Sequence, residues 1–151
     1  MNAEPPKSNG GWKRPVLIIG IIIFGIAAYF AYSVYWLVNR KIPESYAAWT
    51  AGDLIVEHLR NHSNNWPRSW EDLQSAANSR LTNGMNVWTP VDRLPRYVKI
   101  DWDIDANALA KQVSGNPTQA VRVVTRLDGG RLSAGWGHEP NGVISNYLKG
   151  Q

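Results

Sequence analysis

Glu57-His58-Leu59-Arg60-Asn61-His62 sets two imidazoles one helical turn apart, a spacing at which both rings can face one divalent cation. Zinc hydrolases use His-Glu-x-x-His, in which the glutamate after the first histidine activates water. Here the glutamate precedes the first histidine, so that base is missing, and the remaining histidine of the chain is His138. At the end of a helix the same two rings would simply complement the dipole. Asp101, Asp103 and Asp105 carry the carboxylate spacing that opens a calcium loop. The match stops at the loop's sixth position, Ala106 in place of glycine, and at its twelfth, Gln112 in place of glutamate. Trp102 and Ile104 between the acids describe a strand with a solvated acidic face, balanced by Arg122 and Arg126 on a neighbouring strand. Arg131, His138 and Glu139 are ribonuclease-like in type, but Gly135 and Gly137 put them at a strand end, with a turn through Gly137 to Asn141. There is no glycine-rich phosphate loop after a strand and no glycine-flanked nucleophilic serine. None of these sets completes a reaction centre, so the expectation is no enzyme, no metal and no cofactor.

Aromatic residues are the other chemistry on offer. In Asn65-Trp66-Pro67-Arg68-Ser69-Trp70-Glu71-Asp72-Leu73 two indoles flank a proline. Pro67 disfavours helix at Trp66, and Ser69 with Asp72 three places on resembles a capping box that starts a short helix, Trp70 to Ala77. Trp66 and Trp70 then clamp a corner over the end of the preceding helix, with Leu73 beside Trp70. The competing reading is a platform on which sugar rings stack, drawn from Trp66, Trp70, Trp88 and Trp136. Outside the corner, the candidate ligand or partner contacts are Trp88, Trp136 and His138.

These residues need elements to hold them. Residues 1–15 are polar, contain Pro5, Pro6, Gly10 and Gly11, and read as a disordered tail. Val16 to Val38 follows without a single charge, and its 23 residues would span about 35 Å as a helix, against a hydrocarbon core of about 30 Å. Tyr29, Tyr32, Tyr35 and Trp36 near its end suit a membrane boundary. The run exceeds the apolar core of a cleaved signal peptide, and Ala31-Tyr32-Ser33 is a mediocre cleavage site, so an uncleaved signal anchor is expected. Lys7, Lys13 and Arg14 before the span outnumber Arg40 and Lys41 after it, which orients the N-terminus to the cytoplasm.

Residues 42–151 are expected to form one α+β extracytoplasmic domain, begun without a linker. Pro43 fits the first turn of a new helix or a kink in a continuing one. From Glu44 to His62, Ala48, Gly52, Ile55, Val56 and Leu59 share one side, and Asp53, Glu57, Arg60 and Asn61 the other. Gly52 suggests close packing, since glycine costs a helix about 1 kcal/mol against alanine. Val98 to Asp105 alternates as a half-buried strand, and Asp105 would cap a helix Ala106 to Gln112. Val121 to Leu127 and Leu132 to Trp136 suggest a hairpin turning at Gly129-Gly130, which would pair Leu127 with Leu132, Thr125 with Ala134 and Val123 with Trp136, and set Asp128 against Arg131. Val143 to Leu148 reads as a last helix or a last strand.

The order of a basic N-terminus, an apolar helix, a directly joined amphipathic helix and a small antiparallel sheet resembles the type IV pilin and pseudopilin architecture. Asn64-Asn65-Trp66-Pro67 followed by Ser69 to Leu73 is similar to the segment that ends the long helix in such proteins. Gly11 is followed by Trp12-Lys13-Arg14-Pro15, where a prepilin has phenylalanine after its processing glycine, and Val16 to Val38 holds no glutamate. The resemblance therefore implies a pilin-like fold, α+β with helices packed on a small antiparallel sheet, on a permanent anchor.

Three of the 16 basic and one of the 12 acidic residues precede the span, which leaves 13 against 11 beyond it. The charge is mixed along the chain, so no nucleic-acid partner is expected. Without cysteine there is no disulfide framework and no thiolate chemistry. The expected partners are the lipid bilayer and neighbouring envelope proteins, and the expected role is that of a membrane-anchored scaffold or assembly component.

Overall fold

The computed structural model describes residues 13–115, 121–132 and 139–150. The chain divides into two compact units, Met1–Asn39 and Arg40–Gln151. In the first, helix α1 (Lys13–Trp36) carries the charge-free run and gives way to a π-helical turn, Leu37–Lys41. Its large apolar side chains from Val16 to Val38 are all exposed, Phe24 at 76%. Among the described residues one helical stretch, Pro15–Asn61, is long and apolar enough to cross a membrane, and its apolar window is unburied. The wide turn precedes Pro43, whose ring would meet the carbonyl of Asn39 in a regular α-helix.

The second unit is built around α2 (Ile42–Asn61), with Pro43 in its first turn as its fixed φ favours. Helices α3 (Trp70–Thr82) and α5 (Pro140–Lys149) pack closely on α2, and α4 (Ala106–Gly115) lies against α5. A 3₁₀ helix, Val91–Arg96, leads into strand β1 (Val98–Ile100). β1 pairs antiparallel with β2 (Val124–Arg126) in the register Val98 to Arg126, Lys99 to Thr125 and Ile100 to Val124. The expected α+β class holds in coarse form: the unit is mostly helical and its sheet, among the described residues, has two strands.

The amphipathic expectation for α2 was too narrow. Ala47, Ala48, Ala51, Leu54, Ile55 and Leu59 are buried, but so are Glu44, Thr50, Glu57 and His58, because neighbours cover the helix on several sides. Glu57, expected on the solvent side, accepts hydrogen bonds from Asn61 Nδ2 at 3.2 Å and Ser79 Oγ at 3.5 Å. Thr50 Oγ1 accepts from Thr89 N at 3.2 Å, and Glu44 Oε1 pairs with Arg126 Nε at 3.1 Å. Gly52 is a contact point: a Cβ there would lie 2.9 Å from both Cα and Cβ of Pro140 in α5. The close packing expected at this glycine is present.

α2 ends at Asn61. Ser63 and Asn64 adopt φ of 53° and 63°, the left-handed region that asparagine tolerates better than most residues. Asn64 Oδ1 accepts from the Tyr147 hydroxyl at 2.8 Å, and Arg60 lies over the Tyr147 ring, so the loop is held to α5. α3 runs past the expected Ala77 to Thr82. The extra turn is tied to α2 by Arg80 Nη2 to Asp53 Oδ2 at 3.0 Å. Ser69 makes no side-chain cap; Asp72 Oδ2 instead accepts from Arg68 N at 2.7 Å. The Ser69 hydroxyl bonds Glu71, whose carboxyl it holds below the usual range.

Two strand expectations are corrected. β1 stops at Ile100 rather than Asp105: Asp101 N still donates to Val123 O at 2.9 Å, but the Asp101 carbonyl and Val123 N turn to other partners. Asp101 O accepts from Trp66 Nε1 at 2.8 Å, and its carboxylate takes Asp103 N at 3.2 Å. Asp105 does cap α4, accepting from Asn107 N at 2.8 Å and Ala108 N at 3.2 Å, and that helix reaches Gly115 rather than Gln112. The turn after β2 is Leu127-Asp128-Gly129, not Gly129-Gly130. Arg126 N donates to Gly130 O at 3.1 Å, Gly129 N to Arg126 O at 2.9 Å, and Gly129 takes φ of 77°, as a three-residue turn requires. Leu127 is therefore exposed while Leu132 is buried, and Asp128 meets Arg126 at 3.4 Å rather than Arg131. The pairings with Ala134 and Trp136 lie outside the described residues.

The last segment is helix. Glu139 caps it through Gly142 N at 2.7 Å. Asn141, which sequence placed in a turn, is buried and ties α5 to β2 through its side-chain amide. Its Oδ1 accepts from Val123 N at 2.9 Å and Val124 N at 2.8 Å, and its Nδ2 donates to Val124 O at 2.9 Å and Glu139 Oε1 at 2.7 Å. That fills both donors and both acceptor positions of the amide.

Candidate functional site

Two places in the second unit gather side chains that could bind something. The first is a polar cleft of about 570 Å³ at the C-terminal end of α2. His58 and His62 line it from the end of α2, Asn64, Asn65, Trp66 and Arg68 from the loop, Asp72 from α3, and residues 103–107 from the approach to α4 and its first turn. The imidazoles stack face to face, centroids 4.0 Å apart and 12° from parallel. His62 Nδ1 lies 3.0 Å from the His58 carbonyl oxygen. His58 is only 5% exposed, and its Nδ1 has no hydrogen-bond partner among the described residues. Burial, and then the neighbouring His62, lower its pKa below 6.5, while Asp72 opposes that shift.

Among the described residues no three histidine, cysteine, aspartate or glutamate side chains could hold an ion together. Asp101 and Asp105 spend carboxylate oxygens on local amides, so the calcium-like spacing serves a turn and a helix cap. Arg126, expected to balance this acidic face, pairs with Glu44 and Asp128 instead.

The second place is aromatic and lies at the opposite end of α2. Tyr46 meets Trp49 edge to face at 5.4 Å and stacks on Trp88 at 5.8 Å and 26°. Trp88 is 58% exposed. The sequence singled out Trp88; it missed Tyr46 and Trp49, whose helical spacing of three gave a signal but no side.

The structure does not bring the candidate tryptophans together into one platform. Trp66 is buried, its indole nitrogen bonded to Asp101 O. Trp70 is half-buried and meets Trp102 edge to face at 5.0 Å. Trp136 and His138 lie outside the described residues. Arg131 is exposed and, with Arg122, Glu139 and Lys149, lines a cleft of about 470 Å³ between α4, β2 and α5. Comparison with known protein families, with curated proteins and with solved structures finds no match.

Proposed function

We propose that the chain is a single-pass, membrane-anchored, non-enzymatic module whose domain stands on the extracytoplasmic side as a scaffold or assembly component of the cell envelope. The observation that carries this reading is α1. An apolar helix with no buried face needs a solvent as apolar as itself, and no element among the described residues covers it. The excess of basic residues before the span supports the orientation. The pilin-like order of helix and sheet favours an assembly role over catalysis. Alkaline carbonate extraction of membranes tests the anchor: the chain should stay in the pellet, and release of intact protein overturns the reading.

A further inference from the structure

The end of the second unit at which α2 begins is apolar on both flanks. Ile42 and Tyr46 lie one helical turn apart and are 41% and 38% exposed, and Trp88, stacked on Tyr46, is 58% exposed. On the other flank the Arg126 guanidinium reaches Glu44 at 3.1 Å, in the first turn of α2. That ion pair brings the Leu127-Asp128-Gly129 turn to the same end, where Leu127 is 57% exposed. Side chains on a helix lean toward its N-terminus, so the Tyr46 ring is carried toward Ile42.

We propose that the face formed by Ile42, Tyr46, Trp88 and Leu127 rests in the lipid headgroup layer. This rests on the membrane-anchored reading above. Chain connectivity keeps Ile42, at one edge of the face, close to the bilayer. Ile42 follows Val38, the last residue of the apolar run, by four residues, which reach at most about 14 Å however they bend. The headgroup zone extends about 5–7 Å beyond the hydrocarbon core on each side. Tyrosine and tryptophan, each with an apolar body and a polar tip, match that layer, and the exposed Arg40 offers a cation to headgroup phosphates.

The consequence is orientation. A domain held at the surface by its own apolar face needs no linker, and the chain has none. His58 lies 16 residues along α2 from Ile42, about 24 Å of helix.

The absence of cysteine makes a site-by-site test direct. The full chain, carrying an environment-sensitive fluorophore on Trp88→Cys, Leu127→Cys or Gln74→Cys, is reconstituted at high lipid-to-protein ratio in phosphatidylcholine vesicles with nitroxide headgroups. Ile22→Cys, read with acyl-chain nitroxide, reports insertion. Labels at 88 and 127 should be quenched several-fold more than the label at 74. Equal quenching at all three, with the label at 22 quenched, overturns the lipid contact and leaves the anchor standing. Blue-shifted but unquenched labels at 88 and 127 also overturn it, since protein then covers the face. An unquenched label at 22 removes the anchored reading and this inference together.

Discussion

Trp66 and Trp70 flank the same proline but belong to different environments. Trp66 is 5% exposed and bonds a backbone carbonyl 35 residues away, whereas Trp70 is half-buried against Trp102. Trp66→Ala should therefore cost about 3–5 kcal/mol, as a core aromatic truncation does, and Trp70→Ala distinctly less. Urea melts of the full chain in mild detergent, followed by circular dichroism, measure both. Equal shifts would mean that the two rings act as one clamp. His58 supports a second prediction at this scale. Its folded pKa is lowered by burial and by His62, so the unfolded chain binds the proton first as pH falls below 6.5. Above that value both states hold a neutral ring and the contribution is constant. Stability should fall as pH drops below 6.5, and His58→Gln should flatten that decline. Identical pH slopes for the two proteins in urea titrations would show that the ring does not titrate differently on folding.

At the scale of elements, α2 works because its small residues let neighbours come close. Gly52→Ala sets two effects against each other. Alanine gains about 1 kcal/mol of helix propensity, but the new methyl would lie 2.9 Å from backbone Cα of Pro140, which has no flexible end to move. Overpacking costs about 1–3 kcal/mol, so a net loss is expected, read as a lower urea midpoint. A raised midpoint would mean that α5 shifts freely away from α2. The existence of α1, α2, α3 and α4 was legible because period and capping residues are local signals. What was not legible depended on contacts distant in sequence. Glu57 looks solvent-facing until Ser79 arrives beside it, and the Val98 to Asp105 alternation cannot reveal that Trp66 takes the Asp101 carbonyl. The Gly129-Gly130 pair fits two turns equally well by composition, and only the exposure of Leu127 in the fold separates them. The polar cleft was invisible for the same reason. Its histidines, its loop and its aspartates come from separate segments, and no spacing rule links them. At the aromatic face, Trp88 could be named in advance, but its partner Tyr46 could not.

At the scale of the whole molecule, the balance that sets topology is narrow. Lys7, Lys13 and Arg14 precede the apolar run, and Arg40 and Lys41 follow it closely, a difference of one charge. The bias counts basic residues within about 15–20 residues of the span, so Glu4 and the later acids contribute little. Replacing Lys7 and Lys13 by glutamine leaves one basic residue before the span against two after it, which reverses the sign. The Lys7→Gln/Lys13→Gln chain should therefore insert in mixed or inverted orientation. A Gln74→Cys reporter on the exposed face of α3 reads this directly, because the chain has no other thiol. In intact cells an impermeant maleimide should label the parent chain fully and the double variant only in part. Unlabelled parent chain would place the domain in the cytoplasm. Full labelling of both would show that the domain crosses regardless of its flanking charges. The direction of the domain would then have to come from the span itself, whose aromatic residues crowd its C-terminal half.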